Sequence, residues 1–233
     1  MIKITWLGQG GFLLEVQNYR LVIDPYLSDN LLAVQNLARL HPFPLKLEEL
    51  RPDCLVFTHD HLDHLDPIGV EMIRQGYPQC RYYGTHNAFE HLLKLEIPTE
   101  LVSEISPGSI QNLGPFTLSP TFASHSDPFA CGYLIEAAGK KIVISGDTNY
   151  DERLLDNKLA GADLMLICIN GKLNNMNSDD ALKCVRCLTP AMALPMHIGL
   201  FAENTADPMP FVTGCRESEI ESFSMIVGRE FEI

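Results

Sequence analysis

The first quarter of the chain alternates short apolar runs with turn residues. Lys3–Leu7, Phe12–Val16 and Tyr19–Ile23 predict strands. Gly8-Gln9-Gly10-Gly11, between the first two, reads as a tight turn. A phosphate cradle would need a helix pattern or a Gly-Lys-Ser after it, and neither follows. Leu31–Leu40 predicts a helix and His41–Pro52 a proline-bounded connection. Helical spacing returns at Pro67–Gln75, His86–Leu93 and Ser178–Leu188. In the last, Leu182, Val185 and Leu188 share a face, Ser178 stands as the cap, and Asp179-Asp180 suit the first turn. Further strands are predicted at Cys54–Phe57, Arg81–Tyr83, Phe116–Thr121, Gly132–Glu136, Lys141–Ser145, Leu164–Cys168 and Met192–Pro195. Ala137-Ala138-Gly139-Lys140 forms a hairpin turn between two of them. No linker, repeat or low-complexity segment interrupts the series, so residues 1–233 are expected to form one domain mixing α and β.

The run His59-Asp60-His61-Leu62-Asp63-His64 carries the first chemistry. It places four metal-ligand side chains in six residues, directly after the apolar strand Cys54–Phe57. His59 and His61 are two apart and point the same way in extended backbone, so they can hold one ion together. Asp63 and His64 lie where the chain turns and can face a second position. Asp66 can cap the next helix, with Pro67 at its first position. Asp60 alternates with the ligands and is expected to point away, as support for the loop or a ring nitrogen. Imidazole and carboxylate donors suit zinc, manganese or iron.

Two ions need more ligands than these four. His125, Asp147 and His197 each follow an apolar strand, and Gly146 lets the backbone approach closely before Asp147. Their common placement marks all three as ligands. His41, His86 and His91 fall in loop or helix contexts and are left out of the site.

Composition narrows the partners. The chain carries 17 basic and 30 acidic residues, a net charge of −13, and no basic run longer than Lys140-Lys141. That field disfavours nucleic acid as a substrate. No apolar run has membrane-spanning length and no signal-peptide pattern is read at the start, so a cytoplasmic protein without membrane contact is expected. The seven scattered cysteines read as reduced core thiols. Cys184 and Cys187 form a C-x-x-C, but the spacing falls in an amphipathic helix and there is no second such pair. Helix packing therefore explains it better than zinc.

With these residues in place, the chain resembles the metallo-β-lactamase superfamily over nearly its whole length. The resemblance implies an αββα four-layer sandwich with metals at one edge between two sheets. It also implies that His59, His61 and His125 form one metal position, that Asp63, His64 and His197 form the other, and that Asp147 bridges them. Within the superfamily the chain is similar to the L-ascorbate-6-phosphate lactonase-like group. The matching pieces are Trp6-Leu7-Gly8-Gln9-Gly10-Gly11-Phe12, Ile23-Asp24-Pro25-Tyr26-Leu27-Ser28-Asp29, Ser145-Gly146-Asp147-Thr148, Ile169-Asn170-Gly171 and Pro195-Met196-His197, with Phe201 to Pro208 after them. The chain is shorter than that lactonase, which bears on the substrate more than on the chemistry.

The expected cofactor is one or two divalent ions, manganese or zinc and failing these iron. The expected reaction is hydrolysis of a lactone or carboxylic ester of a small metabolite, a phosphorylated sugar among the candidates, by water ionised on the metal. Asp147 and Asp63 are the expected catalytic carboxylates. Asp24, after the strand Leu21–Ile23, is either a support for the histidine loop or a turn residue before Pro25. The loop Asn170–Asn177 either binds substrate through Lys172, Asn174 and Asn175 or is a solvated connection. Asn204 is a further candidate for the pocket. A small-molecule substrate is the expected partner, and a homo-oligomer stays open. Two rivals use the same ligands: a phosphodiesterase acting on a small phosphodiester, and a redox or non-catalytic metal protein.

Overall fold

The structure, a computed structural model, describes residues 1–233. The elements run β1 (Lys3–Gly8), β2 (Gly11–Val16), β3 (Tyr19–Ile23), α1 (Asn30–Gln35), α2 (Leu47–Leu50), β4 (Cys54–Phe57), α3 (Pro67–Gly76), β5 (Arg81–Gly84) and α4 (His86–Lys94). They continue with β6 (Val102–Glu104), β7 (Gln111–Leu113), β8 (Phe116–Phe122), β9 (Cys131–Ala137) and β10 (Lys140–Ile144). The last are β11 (Leu164–Cys168), α5 (Ser178–Leu188), β12 (Met192–Met196), α6 (Met209–Arg216) and β13 (Glu230–Glu232).

Two sheets result. One has the order β13-β1-β2-β3-β4-β5-β6, the other β12-β11-β10-β9-β8-β7. Within the first, β3, β4, β5 and β6 run parallel; in the second, β10, β11 and β12 do. Period-two alternation sorts the side chains. In the first sheet Leu13, Val22, Leu55 and Tyr82 pack with Val70, Ile73, Ala88 and Leu92 of α3 and α4. Their neighbours Phe12, Leu14, Leu21, Ile23 and Val56 face the second sheet and join a core of 46 buried residues. That core also takes Leu182, Val185 and Leu188 from α5 and Phe211 from α6. The layers are therefore helix, sheet, sheet, helix, as the resemblance implies. Burying one such side chain is worth about 1.5–3 kcal/mol, so the two faces fix the register of every strand.

Parallel strands need crossovers, and their carboxyl ends all open on one edge of the sandwich, where α/β folds place ligands. The sheets touch there. The Cys131 N–H donates to the Thr58 carbonyl at 3.1 Å, and the Tyr133 hydroxyl donates to the Phe57 carbonyl at 2.6 Å.

Several expectations need correction. The helix expected at Leu31–Leu40 stops at Gln35, because Asn36 turns left-handed (φ 56°) and closes it. A short helix, α2, lies inside the expected connection His41–Pro52. Helix α5 is capped by Asn177, whose side chain accepts from the Asp180 N–H at 2.9 Å; Ser178 is already helical. The strands β6, β7 and β13 and the helix α6 were not legible. Asp66 caps α3 as expected, accepting from Ile68 N–H, with Pro67 following.

All seven cysteines are free, and only Cys187 is exposed. Cys184 packs in the core with its sulfur 3.8 Å from that of Met176. Replacing Cys184 and Cys187 together by Ala should leave metal content unchanged in elemental analysis. Loss of metal from a still-folded protein would instead assign the pair a ligand role.

Candidate metal centre

The seven expected ligands come from both sheets and meet at the open edge. His59, His61, Asp63 and His64 follow β4; His125, Asp147 and His197 follow β8, β10 and β12. Two trios form, each with its ligand atoms within 4.8 Å of one another: His59, His61, His125 and Asp63, His64, His197.

Hydrogen bonds fix which nitrogen faces inward in four of the five rings, while His197 Nδ1 is buried without a partner. The Thr58 hydroxyl donates to Asp24 Oδ2 at 2.5 Å, so toward the His59 ring it accepts, from Nδ1 at 2.9 Å. His59 Nε2 is then left with a lone pair. His64 Nδ1 donates to Asp24 Oδ2 at 2.7 Å, which aims Nε2 inward. His125 Nδ1 donates to the Asn174 carbonyl at 3.2 Å, which aims its Nε2 inward as well. His61 is turned the other way, with Nδ1 inward and Nε2 3.4 Å from Ser126 Oγ. Carboxylate or carbonyl partners that orient ligand rings in this way are the usual support of a metal site.

Inward nitrogens approach closely. His59 Nε2 is 3.0 Å and His125 Nε2 3.2 Å from His61 Nδ1, and His64 Nε2 is 3.3 Å from His197 Nε2. Lone pairs facing one another at such distances repel unless a cation or proton lies between them. Nitrogens about 2.0–2.1 Å from one tetrahedral ion stand roughly 3.3–3.4 Å apart. The donor set therefore fits divalent ions. A third trio, Asp24, His59 and His64, is equally compact, but both Asp24 oxygens are engaged by Thr58 and His64. Asp24 is a support, and it is buried in a left-handed conformation (φ 44°) that ties β3 to the histidine loop.

Asp147 stands between the groups. Its Oδ2 is 2.9 Å from His197 Nε2 and its Oδ1 3.5 Å from His64 Nε2. Oδ1 is buried without a hydrogen-bond partner. Its charge also acts on His59 and His125.

The electrostatics follow from these contacts. Burial and the neighbouring His64 hold His59 well below the ordinary imidazole range. Burial opposes ionisation of Asp147 too, yet His197 and His64 outweigh it and keep the carboxyl well below the usual range. His64 goes the other way: the carboxylates of Asp147, Asp63 and Asp24 overcome burial and lift it well above. His197, against Asp147 and Asp63, is raised to about 9 despite its burial. Without metal, His64 and His197 thus keep their protons at neutral pH while Asp63 is ionised. A cation must displace those protons, so its affinity should rise at least about tenfold per pH unit up to about pH 9. Calorimetry in buffers of different ionisation enthalpy should register the released protons, and a pH-flat affinity would remove this picture.

The remaining expected residues separate. Asp60 points away from the ligands, with Oδ1 2.5 Å from His91 Nδ1 on α4. Asn174 and Asn204 line the cavity above the histidines, but Lys172 and Asn175 do not. Lys172 Nζ donates to the Glu203 carbonyl at 2.8 Å. Asn175 Nδ2 donates to Asp147 Oδ2 at 2.8 Å and so positions a ligand.

Gln9 was missed by sequence reasoning. It is fully buried, and its Nε2 donates to Asp63 Oδ2 at 2.9 Å and lies 3.2 Å from His197 Nε2. The left-handed turn (φ 49° at Gln9) brings it there, and Gly10 beside it must lack a side chain. A Cβ at Gly10 would stand 2.7 Å from His64 Cε1. The glycines around Gln9, and its place in the piece Trp6 to Phe12 that carries the resemblance, were the signals.

A family model described as the β-lactamase superfamily domain matches residues 19–198. The chain belongs to the metallo-β-lactamase superfamily. Among the superfamily's members it is 31% identical over 223 residues to a UPF0173 metal-dependent hydrolase of Thermoplasma acidophilum, covering 90% of this chain and 89% of the relative. It is 30% identical over 222 residues to one of Methanosarcina barkeri, with the same coverage. The metallo-β-lactamase fold is equally plain in a metallo hydrolase of Ignicoccus hospitalis, with a TM-score of 0.78 at 24% identity over 100% of this chain and 99% of that one. This superfamily member is thus placed among metal-dependent hydrolases, and it has no helix long and apolar enough to cross a membrane.

Proposed function

We propose that the protein hydrolyses a lactone or carboxylic ester of a small metabolite, using two divalent ions held by His59, His61 and His125 and by Asp63, His64 and His197, with Asp147 between them. The observation that carries this is the convergence of His59, His64 and His125 Nε2, each aimed inward because its Nδ1 is engaged by Thr58, by Asp24 or by the Asn174 carbonyl. The motifs shared with the L-ascorbate-6-phosphate lactonase-like group support the lactone over other esters. Zinc and manganese both suit the donor set.

When bound, such ions supply a water acidified toward neutrality and a Lewis acid for the carbonyl. The chain does the rest. His59, His61, His64, His125 and His197 would hold the ions through their inward ring nitrogens, His64 and His197 after losing a proton. Asp147 Oδ1, buried and without a donor, accepts the proton of the attacking water and orients it. Asp63 is the more open carboxylate, with its side chain 18% exposed and its Oδ2 anchored by Gln9. Asp63 is ionised and has no proton of its own, so the proton it passes to the leaving alkoxide is the one Asp147 takes from the water. A small molecule reaches both through a cavity of about 340 Å³. A larger cleft of about 540 Å³ borders the 120–131 segment but holds none of the ligands.

The test is elemental analysis of the purified protein, with turnover measured on lactone, ester and phosphodiester panels after loading with zinc or manganese. About two ions per chain with lactone or ester hydrolysis would support the reading. Phosphodiester hydrolysis alone would transfer the same residues to the phosphodiesterase reading. Metal binding without turnover on any panel would leave a non-catalytic metal protein.

A further inference from the structure

The cavity above the histidines is small for a ligand site, which usually spans roughly 300–1,000 Å³. Ligands form its floor. The apolar part of its lining is Leu31, Leu37, Leu62, Leu173 and Phe201. Leu31 and Phe201 are buried and pack with Tyr26 and Leu200 in a separate apolar cluster over the site. Besides the ligands, its polar lining is Gln35, Asp60, Ser126, Asn174 and Asn204, and the one ionisable group among these is an acid.

No lysine or arginine lines this cavity. The two cations closest along the lining segments are engaged elsewhere. Lys172 Nζ donates to the Glu203 carbonyl. The Arg39 guanidinium donates to the carbonyls of Tyr26 and Leu27, pairs with Asp29 at 3.3 Å and lies over the Tyr26 ring. It acts as a clasp that holds the 26–39 strap in place. A phosphate handle entering this space would lose its hydration and meet leucines in return. Recognition of such a group needs a cation or convergent donors.

We infer that the site takes an uncharged substrate whose arm beyond the carbonyl is apolar, and that Leu31, Leu37 and Phe201 are its specificity residues. This rests on the hydrolase reading above and narrows it: the phosphorylated sugar among the sequence expectations is not what this wall fits. The carbonyl lies toward the histidine floor, and an alkyl arm of several carbons lies against the strap. Gln35, Asn174 and Asn204 are available for a single hydroxyl or ring oxygen.

Two measurements on the metal-loaded protein test this separately from the hydrolase reading. The first compares kcat/KM for γ-decanolactone with that for glucono-δ-lactone 6-phosphate. The second compares, by calorimetry, binding of their hydrolysis products, 4-hydroxydecanoate and 6-phosphogluconate. The expected result is at least a tenfold preference for the alkyl compound over the phosphorylated one in both. Leu37 is only half-buried, so Leu37→Lys should fold, and it should shift both ratios at least tenfold toward the phosphate. A wild-type preference for the phosphorylated compounds would overturn the inference while leaving the hydrolase reading intact. Hydrolysis of neither lactone would count against that reading, and the product-binding ratio would then decide the inference alone.

Discussion

Asp147→Ala should lower kcat/KM on any lactone or ester the loaded protein hydrolyses by more than about 100-fold, with the far-ultraviolet circular dichroism unchanged. Groups that only orient a metal ligand typically cost about 10–100-fold when removed, and Asp147 sits closer to the chemistry than they do. Its two oxygens reach His197 and His64, and the charge acts on His59 and His125 across the site. The fold should survive, because His64 and His197 owe their raised pKa largely to this carboxylate. Once it is gone they can shed their protons instead of remaining as unpaired buried charges. Full turnover with full metal content in the variant would remove Asp147 from the centre.

Asp24 should give the second large effect, divisible into two parts. Asp24→Ala strands the Thr58 N–H, the Thr58 hydroxyl and His64 Nδ1 in a buried setting. Breaking a buried charged pair of this kind costs about 3–5 kcal/mol, so the melting temperature should fall clearly. Asp24→Asn keeps the shape, and Asn accepts the left-handed backbone at this position. Its amide would donate toward His64 Nδ1 and push the ring proton onto Nε2, the atom that faces Asp147. Metal affinity measured by chelator competition should therefore drop about 10–100-fold with little loss of thermal stability. Equal metal affinity in wild type and Asp24→Asn would show that the tautomer is set elsewhere.

What the sequence made legible follows a physical line. The strands β2, β3, β4 and β11 are apolar runs long enough to bury, and the ligands stand just past strand ends, so position along the chain implied position in space. The short strand β13 reads Glu-Phe-Glu and exists because β1 offers it an edge through Thr5, Ile4 and Lys3. Helix α6 contains Pro210 and Gly214, both poor helix signals. Gly214 is there because α6 lies so close to α5 that a Cβ would meet Leu182 at 2.5 Å. Side-chain partners were the least legible part. Nothing local distinguishes Asn174, whose carbonyl steadies His125, from Asn175, whose amide holds Asp147. Gln9 reaches the metal ligands only because a left-handed turn folds it over them.

The ligands are divided between the two sheets, three histidines and Asp63 from one, His125, Asp147 and His197 from the other. A bound ion is therefore a cross-link between halves of the sandwich that otherwise adhere mainly by apolar contact. Chelation should unzip cooperativity from that edge inward: amide hydrogens after β4, β10 and β12 would exchange faster, while those of α5 and the far strands keep their protection. Such a protein would carry a gradient of local opening set by metal supply, and metal depletion would expose the ligand edge to proteases first.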